Sequence, residues 1–188
     1  MRKLILRMDI TLDGVAAGEH GPIAGVDNGD ADRWRDIFAT LETVDTLLIG
    51  GTAHREYLDY WREALTKPTA PADERRFAEL AARTPHFVLS RTLRAVDYPN
   101  AAVLAGGVDG IADVKRRDGG DMLLWGGPTV AAAAIERELV DELHLLTHPV
   151  IAGRGKKLFH SVGGAHRVRQ LTAERFPSGA VLTKYARA

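Results

Sequence analysis

The segment 121–135 combines a short apolar strand, two adjacent glycines and an alanine-rich helix. This order constrains the fold, because it is typical of α/β proteins, in which a strand ends at a tight turn and a helix follows. Gly126 and Gly127 lack Cβ atoms, so a ligand or a second backbone segment can approach closely there. Pro128 suits the first helical position, and Thr129 adds a hydroxyl beside the positive end of the helix dipole. The segment therefore predicts either a cradle for a diphosphate group or a tight turn without a ligand.

Strand and helix patterns alternate along most of the chain. We predict strands at 2–10, 46–49, 86–90, 102–105, 121–124 and 142–148, and helices at 31–44, after 52, at 73–83, at 108–117 and at 127–138. Residues 18–29 and 62–75 are predicted loops, and Asp30 is a candidate N-cap. Two further strands, 167–175 and 179–186, form a C-terminal hairpin. The fold class is therefore α/β, with a mostly parallel central sheet and an antiparallel C-terminal edge hairpin.

Composition limits the classes of function. A length of 188 residues suits one domain, residues 1–188, and the formal net charge is zero. We expect no nucleic-acid partner and no attraction to an anionic membrane, because no net field favours either. The chain has no cysteine, which excludes disulfides and thiolate chemistry. It has no apolar run of membrane-spanning length and opens directly into a strand pattern, so we expect a cytoplasmic enzyme or binding protein.

Three predicted strands end in residues that suit a phosphate ligand. They end in Gly50-Gly51, Ser90-Arg91 and Gly126-Gly127. Ligands of open α/β sheets bind at the carboxyl ends of the strands, and arginine binds phosphate in a bidentate way. The alternative for Ser90-Arg91 is a capped turn with an exposed arginine. The agreement of the three strands predicts a nucleotide site at this edge of the sheet.

Several other sites are disfavoured. The chain lacks a Rossmann fingerprint after its first strand, a P-loop and a Gly-x-Ser-x-Gly nucleophile elbow. His144 and His148 lie four residues apart on a predicted strand without a third ligand, so we expect no metal. Asp32 and Asp36 lie in the helix 31–44, where solvation and the helix dipole favour carboxylates.

Seven short motifs carry a resemblance to a known family. In chain order they are Thr11-Leu-Asp-Gly14, Leu47-Leu-Ile-Gly50, Tyr60-Trp61, Val88-Leu-Ser-Arg91, Leu124-Trp-Gly-Gly127, Val140-Asp-Glu-Leu143 and Pro149-Val-Ile-Ala-Gly153 running on to Leu158-Phe159. The chain resembles the dihydrofolate reductase-like superfamily, and within it the branch related to the C-terminal reductase domain of riboflavin biosynthesis. The resemblance implies a three-layer fold and an oxidoreductase that uses NADPH to reduce a small heterocyclic or carbonyl substrate.

The resemblance also implies cofactor contacts. The diphosphate would lie on Gly126, Gly127, Pro128, Thr129 and Val130. The adenosine 2′-phosphate would lie on Ser90 and Arg91, the phosphates would also touch Gly50, Gly51 and Thr52, and the nicotinamide face would be lined by Ala16 and Ala17. In the family the double glycine often carries a cis peptide, which makes Gly126–Gly127 a candidate. The usual Gly-Arg-x-Thr pattern is replaced by Gly50-Gly51-Thr52-Ala53, so this turn lacks its arginine.

The proton source is the least constrained part of the site. Dihydrofolate reductases carry an acid in the first helix, and Trp34 stands nearest that position here. Asp13, in the Leu-Asp-Gly turn, and Asp32 are the candidate catalytic residues, and a water molecule is the alternative. Arg154 and Lys156 are candidates for contact with an anionic substrate.

The resemblance leaves the activity open. Reduction of dihydrofolate or of the riboflavin precursor 5-amino-6-(5-phosphoribosylamino)uracil is one possibility, and a nucleotide-binding protein with impaired catalysis is another. The family's habit implies a homodimer, with the C-terminal strands as its interface.

Overall fold

The computed structural model describes residues 1–19, 21, 23, 26 and 31–188. The predicted N-cap Asp30 and much of the predicted loop 18–29 lie outside these residues. No helix in the described ranges is long and apolar enough to cross a membrane.

One eight-stranded sheet forms the centre of the molecule. In chain order the strands are β1 (Leu4–Thr11), β2 (Val15–Ala17), β3 (Val44–Gly50), β4 (His86–Leu89), β5 (Ala101–Leu104), β6 (Asp121–Leu124), β7 (Glu142–His148), β8 (Lys156–Lys157), β9 (Val168–Arg175) and β10 (Val181–Arg187). The order across the sheet is β5-β4-β3-β6-β1-β7-β10-β9, while β2 and β8 pair separately. The first six strands in this order are parallel, and β10 is antiparallel to both β7 and β9. The predicted parallel sheet with an antiparallel edge hairpin is therefore confirmed.

Helices cover both faces of this sheet. They are α1 (Ala31–Leu41), α2 (His54–Thr66), α3 (Ala72–Arg83), α4 (Ile111–Lys115) and α5 (Pro128–Glu136). One apolar cluster joins Trp34, Ile37 and Phe77 of the helices to Ile5 and Leu47 of the sheet. A second cluster packs α4 and α5 against the opposite face. Central strands are thus buried on both sides, which explains their continuous apolar runs and the three-layer arrangement.

The end of one helix and two short strands differ from the sequence-based prediction. Residues 62–66 were expected in a loop but belong to α2, whose apolar side chains Leu58 and Ala64 are buried. The short strands β2 and β8 were missed. They contain three and two residues and pair over a long separation in sequence, so neither carries a period that a sequence pattern reveals.

Candidate functional site

The strand ends predicted to bind phosphate lie together. The backbone N–H of Gly51 donates to the carbonyl of Leu89, with a distance of 3.0 Å between the two atoms. A Cβ added to Gly51 would lie 2.8 Å from Cβ of Ser90, and one added to Gly126 would lie 3.4 Å from the backbone N of Gly50. The turns that follow β3, β4 and β6 therefore form one surface at the carboxyl edge of the sheet.

The glycines of this surface differ in what surrounds them. A Cβ on Gly50 would lie 2.9 Å from Cγ2 of Val130, so Gly50 is required for the packing of α5 against β3. Gly51 and Gly126 are similarly crowded by protein atoms. A Cβ on Gly127 would meet no atom of the described residues within 4 Å. Gly127 is therefore the glycine whose missing side chain leaves open space for a ligand.

The helix that begins after Gly127 presents polar groups to the same space. Gly127 is the N-cap, Pro128 occupies the start of α5, and no side chain among the described residues caps the helix. Nζ of Lys156, from β8, donates to Oγ1 of Thr129 at 2.6 Å. A cation thus lies beside the positive end of a helix dipole, an arrangement that favours an anion between them. The expected cis peptide at Gly126–Gly127 is wrong, since every described peptide bond is trans. A trans bond is the lower-energy form outside proline by about 2.5–4 kcal/mol.

Ser90 and Arg91 contribute in different ways. Oγ of Ser90 accepts hydrogen bonds from the backbone N–H groups of Thr92 and Leu93, at 3.2 and 3.1 Å, and so caps the turn after β4. Arg91 is exposed and forms no hydrogen bond or ion pair with any other described residue, while its Cγ lies near Gly107. The turn is therefore capped and its arginine is exposed, as the alternative interpretation of Ser90-Arg91 predicts. The guanidinium is also free of partners among the described residues, so it can bind a phosphate.

A cleft of about 270 Å³ opens beside Gly126 and Gly127. Its described lining residues are Arg7, Met8, Asp9, Ala16, Ile23, Val26, Ile49, Ala53, Tyr57, Trp125, Gly126 and Gly127. Of the two alanines expected at the nicotinamide, Ala16 lines the cleft and Ala17 does not. Thr52 lies exposed in the turn before α2. Three lining residues, Ala53, Tyr57 and Trp125, also line a neighbouring chamber of about 440 Å³. The cleft and the chamber therefore adjoin each other at these three residues.

A charged cluster that sequence analysis missed forms one wall of the cleft. The guanidinium of Arg33 donates from Nε and Nη2 to the two oxygens of Asp9, at 3.2 and 3.1 Å. Nε2 of His148 lies 3.0 Å from Oδ1 of the same carboxylate. Burial opposes the charged form of Asp9, but Arg33, His148 and Arg7 outweigh it, so its pKa lies well below the ordinary value. Asp9 is therefore an ionised acceptor whose oxygens are already engaged.

A second buried ion pair lies next to this wall. Nη1 of Arg7 contacts Oδ2 of Asp36, and Nζ of Lys184 lies 2.5 Å from Oδ1. The side chain of Asp36 is only 9% exposed, so the expectation of a solvated helix carboxylate is wrong for this residue. Asp36 points inward because β1 and β10 supply cations beneath α1. Burial acts against its ionisation, yet Arg7 and Lys184 keep its pKa below the usual value.

The two candidate catalytic carboxylates both lie outside the lining of the cleft. Asp13 accepts hydrogen bonds from the backbone N–H groups of Ala152 and Gly153, at 3.0 and 2.9 Å, and from Oγ1 of Thr11. These bonds, that from Thr11 foremost, lower the pKa of Asp13 to about 2. Asp13 therefore fixes the loop after β7 to the turn after β1. Asp32 pairs with Arg35 one helical turn away. Neither contact brings a carboxylate to the cleft.

One sequence signal pointed to the missed cluster. Arg7 and Asp9 interrupt the otherwise apolar strand Leu4–Thr11 at alternate positions, so both project from one face of the sheet. Charged residues on a strand buried on both sides are costly unless they are paired, and such positions are often functional. Their partners Arg33 and Asp36 lie in α1, beyond the predicted loop, so the pairs themselves were not visible in the pattern.

Solved structures with the same architecture define the class of fold. Dihydrofolate reductase from Enterococcus faecalis, complexed with NADP(H) and RAB-propyl, matches with a TM-score of 0.62 and 15% identity over 98% of this chain and 96% of that one. A putative riboflavin biosynthesis protein from Shewanella sp. PV-4 matches with a TM-score of 0.72 and 21% identity over 99% of both chains. The fold is therefore dihydrofolate reductase-like.

A family model and a curated relative place the chain more narrowly. The chain belongs to the RibD C-terminal domain family, whose model matches residues 2–182. It is 30% identical over 184 residues to the protein YyaP of Bacillus subtilis (strain 168), covering 98% of this chain and 94% of that protein. The deaminase/5-amino-6-(5-phosphoribosylamino)uracil reductase from Thermotoga maritima matches with a TM-score of 0.68 and 16% identity, over the whole of this chain and 57% of that one. The resemblance inferred from the motifs is confirmed.

Proposed function

We propose that the protein is an NADPH-dependent reductase that transfers a hydride to a small heterocyclic or carbonyl substrate. The observation that carries this proposal is the open space at Gly127, which faces the start of α5 and joins a cleft at the carboxyl edge of the sheet. Membership of the RibD C-terminal domain family supports a reductase. Two of the structural relatives are named for a uracil reductase and for dihydrofolate reductase with NADP(H).

The residues present fit the cofactor. The N–H groups at the start of α5, the hydroxyl of Thr129 and the ammonium of Lys156 would hold the diphosphate. Arg91, which has no partner among the described residues, would bind the 2′-phosphate in a bidentate way. The turn Gly50-Gly51-Thr52 lies close enough to contribute backbone contacts. Ala16 would leave room for the nicotinamide, because its side chain is a single methyl group.

The chemistry divides between the cofactor and the protein. When bound, NADPH supplies a hydride at the cleft. The protein would orient the substrate against Trp125 and Tyr57 and exclude water from the buried wall. Because the carboxylates of Asp9 and Asp13 are ionised and hydrogen-bonded, a water molecule is the better candidate for the proton source.

A nucleotide-binding protein with impaired catalysis is a second candidate. It is favoured by a specific observation: neither Asp13 nor Asp32 lines the described part of the cleft. Trp34, which the resemblance puts nearest the position of the acid in the first helix, lines the adjoining chamber. Turnover separates the two candidates, since both bind the cofactor. We would follow the oxidation of NADPH with dihydrofolate, quinones and aromatic aldehydes as substrates. Oxidation that depends on substrate supports the reductase, and tight NADPH binding without turnover of any substrate supports the second candidate.

We also propose that the protein forms a homodimer through its C-terminal hairpin, as the family resemblance implies. All eight residues of β9 are exposed, including the apolar side chains Val168 and Leu171. An exposed edge strand with apolar side chains is an aggregation hazard unless another chain covers it. A groove of about 360 Å³, lined in part by Phe159 and Tyr185, lies next to the hairpin. A second copy of the chain would cover both features. A cytoplasmic location remains a prediction.

A further inference from the structure

Lys156 reaches the proposed cofactor site from a segment that has little packing of its own. Its Nζ donates to Oγ1 of Thr129 at the start of α5, 2.6 Å away. Among residues 151–158, Leu158 alone is buried, and residues 153–157 are all exposed. Apolar burial therefore anchors this segment at one end, so hydrogen bonds must fix the ammonium beside Thr129.

The pairing of β8 with β2 is too short to hold the segment by itself. It joins Val15 to Lys157 and Ala17 to Lys156, with a shift of register between the two pairs. A two-stranded ribbon is marginally stable in water even when it is longer than this one. A further contact is therefore needed to keep β8 in place.

The loop between β7 and β8 also has unusual conformational freedom. Gly153 and Gly155 have φ of 70° and 121°, in the region that glycine adopts about as readily as negative φ. A Cβ at Gly155 would lie 2.5 Å from the carbonyl oxygen of Ala17, so this glycine lets β8 approach β2. Glycine loses more chain entropy than other residues when a loop is ordered. The loop therefore needs a specific contact to keep one conformation.

Asp13 supplies that contact. Its Oδ1 accepts a hydrogen bond from the backbone N–H of Ala152 at 3.0 Å, and its Oδ2 accepts one from that of Gly153 at 2.9 Å. The hydroxyl of Thr11 donates to Oδ1 at 2.6 Å and so fixes the carboxylate to the turn after β1. The two oxygens of one carboxylate thus hold two consecutive peptide groups of the loop that leads to Lys156.

A direct contribution of Asp13 to cofactor binding would be unfavourable. Asp13 does not line the described part of the cleft, and its two oxygens already accept hydrogen bonds from the loop. Its negative charge repels the phosphates of a dinucleotide at any distance. A favourable contribution to cofactor affinity must therefore pass through a group that Asp13 positions.

We propose that Asp13 is a positioning residue for the cofactor, which holds the loop 149–155 so that the ammonium of Lys156 stands beside Thr129 and contacts the diphosphate. This inference rests on the proposed function for the place of the diphosphate. Asp13 itself touches neither the cofactor nor the reacting atoms. Its effect on affinity is carried by Lys156, so the two side chains act as one unit.

A double-mutant cycle tests the inference, with dissociation constants of NADPH measured by isothermal titration calorimetry. Lys156→Met removes the ammonium and should weaken binding about fivefold, since an exposed charge pair is worth up to about that factor. Asp13→Ala should weaken binding about threefold or more, although it removes a negative charge. Added to Lys156→Met, the same change should weaken binding less than about 1.5-fold, because no ammonium remains to be misplaced.

Two further variants control for charge and for folding. Asp113→Ala removes the same charge from α4, where Asp113 is exposed and pairs with Arg116, and should leave NADPH affinity unchanged. Asp13→Asn keeps the size of the side chain but offers one acceptor oxygen instead of two. It should weaken binding in the same direction as Asp13→Ala, and it replaces the alanine variant in the cycle if that variant is unfolded. Thermal unfolding checks each variant.

Several outcomes would overturn the inference. Equal weakening by Asp13→Ala with and without Lys156 would indicate a general effect on the fold. Unchanged or tighter NADPH binding in Asp13→Ala would show that the loop needs no such contact. A comparable loss of affinity in Asp113→Ala, or no loss in Lys156→Met, would also refute the proposed role.

The same cycle with inorganic diphosphate separates this inference from the proposed function. If diphosphate binds and shows the coupling but NADPH does not bind, the positioning role of Asp13 stands and the proposed reductase function falls. If NADPH binds and the effects of the two substitutions add, the reductase proposal stands and the positioning role falls. If neither ligand binds the wild-type protein, both fall.

Discussion

Replacing Gly127 with alanine separates a ligand-binding glycine from the structural glycines beside it. The backbone at Gly127 has φ of −66° and ψ of 159°, which an alanine adopts without strain. Within the part of the chain that the structure describes, the added methyl group would meet no atom within 4 Å. It would instead occupy the space that the proposed function gives to the cofactor diphosphate. Gly127→Ala should therefore reduce NADPH affinity while leaving the fold intact.

The expected magnitudes differ between Gly127 and its neighbour Gly50. At Gly127, the lower chain entropy of unfolded alanine offsets its poorer fit as an N-cap, so stability should change by less than about 1 kcal/mol. NADPH affinity should fall at least about tenfold, which is about 1.4 kcal/mol. In Gly50→Ala the methyl group lies 2.9 Å from Cγ2 of Val130, and overpacking of this kind costs about 1–3 kcal/mol.

Urea denaturation and NADPH titration of the two variants provide the assay. Gly127→Ala should unfold at the wild-type urea concentration but bind NADPH weakly, and Gly50→Ala should unfold at a lower concentration. The reasoning is refuted if Gly127→Ala binds NADPH as tightly as the wild-type protein, or if its stability falls as far as that of Gly50→Ala.

Three further predictions concern cofactor preference, acid stability and assembly. Arg91→Ala should lose most of any preference for NADPH over NADH, measured as the ratio of the two dissociation constants, because it removes the cation proposed for the 2′-phosphate. Burial lowers the pKa values of His86 and His144 to about 4, so both side chains stay neutral in the folded protein. In the unfolded chain the same two histidines take up protons below pH 6.5, their ordinary pKa. The free energy of unfolding should therefore decline from pH 6.5 to pH 4, by at most on the order of 3 kcal/mol per histidine. Urea denaturation at a series of pH values measures this decline. His144→Leu should flatten it, and an unchanged slope would contradict the assignment. Leu171→Arg should convert the proposed dimer to a monomer in light scattering after gel filtration, whereas Gln170→Arg on the same strand should not have the same effect; a dimer that persists in Leu171→Arg would place the interface elsewhere.

The architecture was predictable because local pattern and burial agree in this chain. The apolar runs at Leu47–Ile49 and Met122–Leu124 are strands because both faces of the sheet are covered by helices. The glycine turns after them were also predictable, since a strand that feeds a helix must turn sharply. The end of α2 was not predictable from the prolines that follow, because the helix continues to Thr66, close to Pro68.

The charged part of the site was less accessible to sequence analysis. Asp36 occupies a position on α1 that helix periodicity assigns equally well to solvent, and its inward direction depends on Arg7 and Lys184 of two different strands. The double glycine was predictable as a pair, but the separate roles of Gly126 and Gly127 depend on atoms of β3 and β6. Such roles are decided by tertiary contacts, which a single sequence does not contain.

We propose that the surface formed by the turns after β3, β4 and β6, together with the adjoining cleft, binds NADPH. All three tryptophans of the chain, Trp34, Trp61 and Trp125, line the chamber that adjoins the cleft, so intrinsic fluorescence reports binding directly. We would titrate the purified protein with NADPH and, separately, with NADH. Saturable quenching at micromolar NADPH, with weaker binding of NADH, is the predicted result. Absence of saturable quenching by either nucleotide, with calorimetry also showing no binding, would contradict the account.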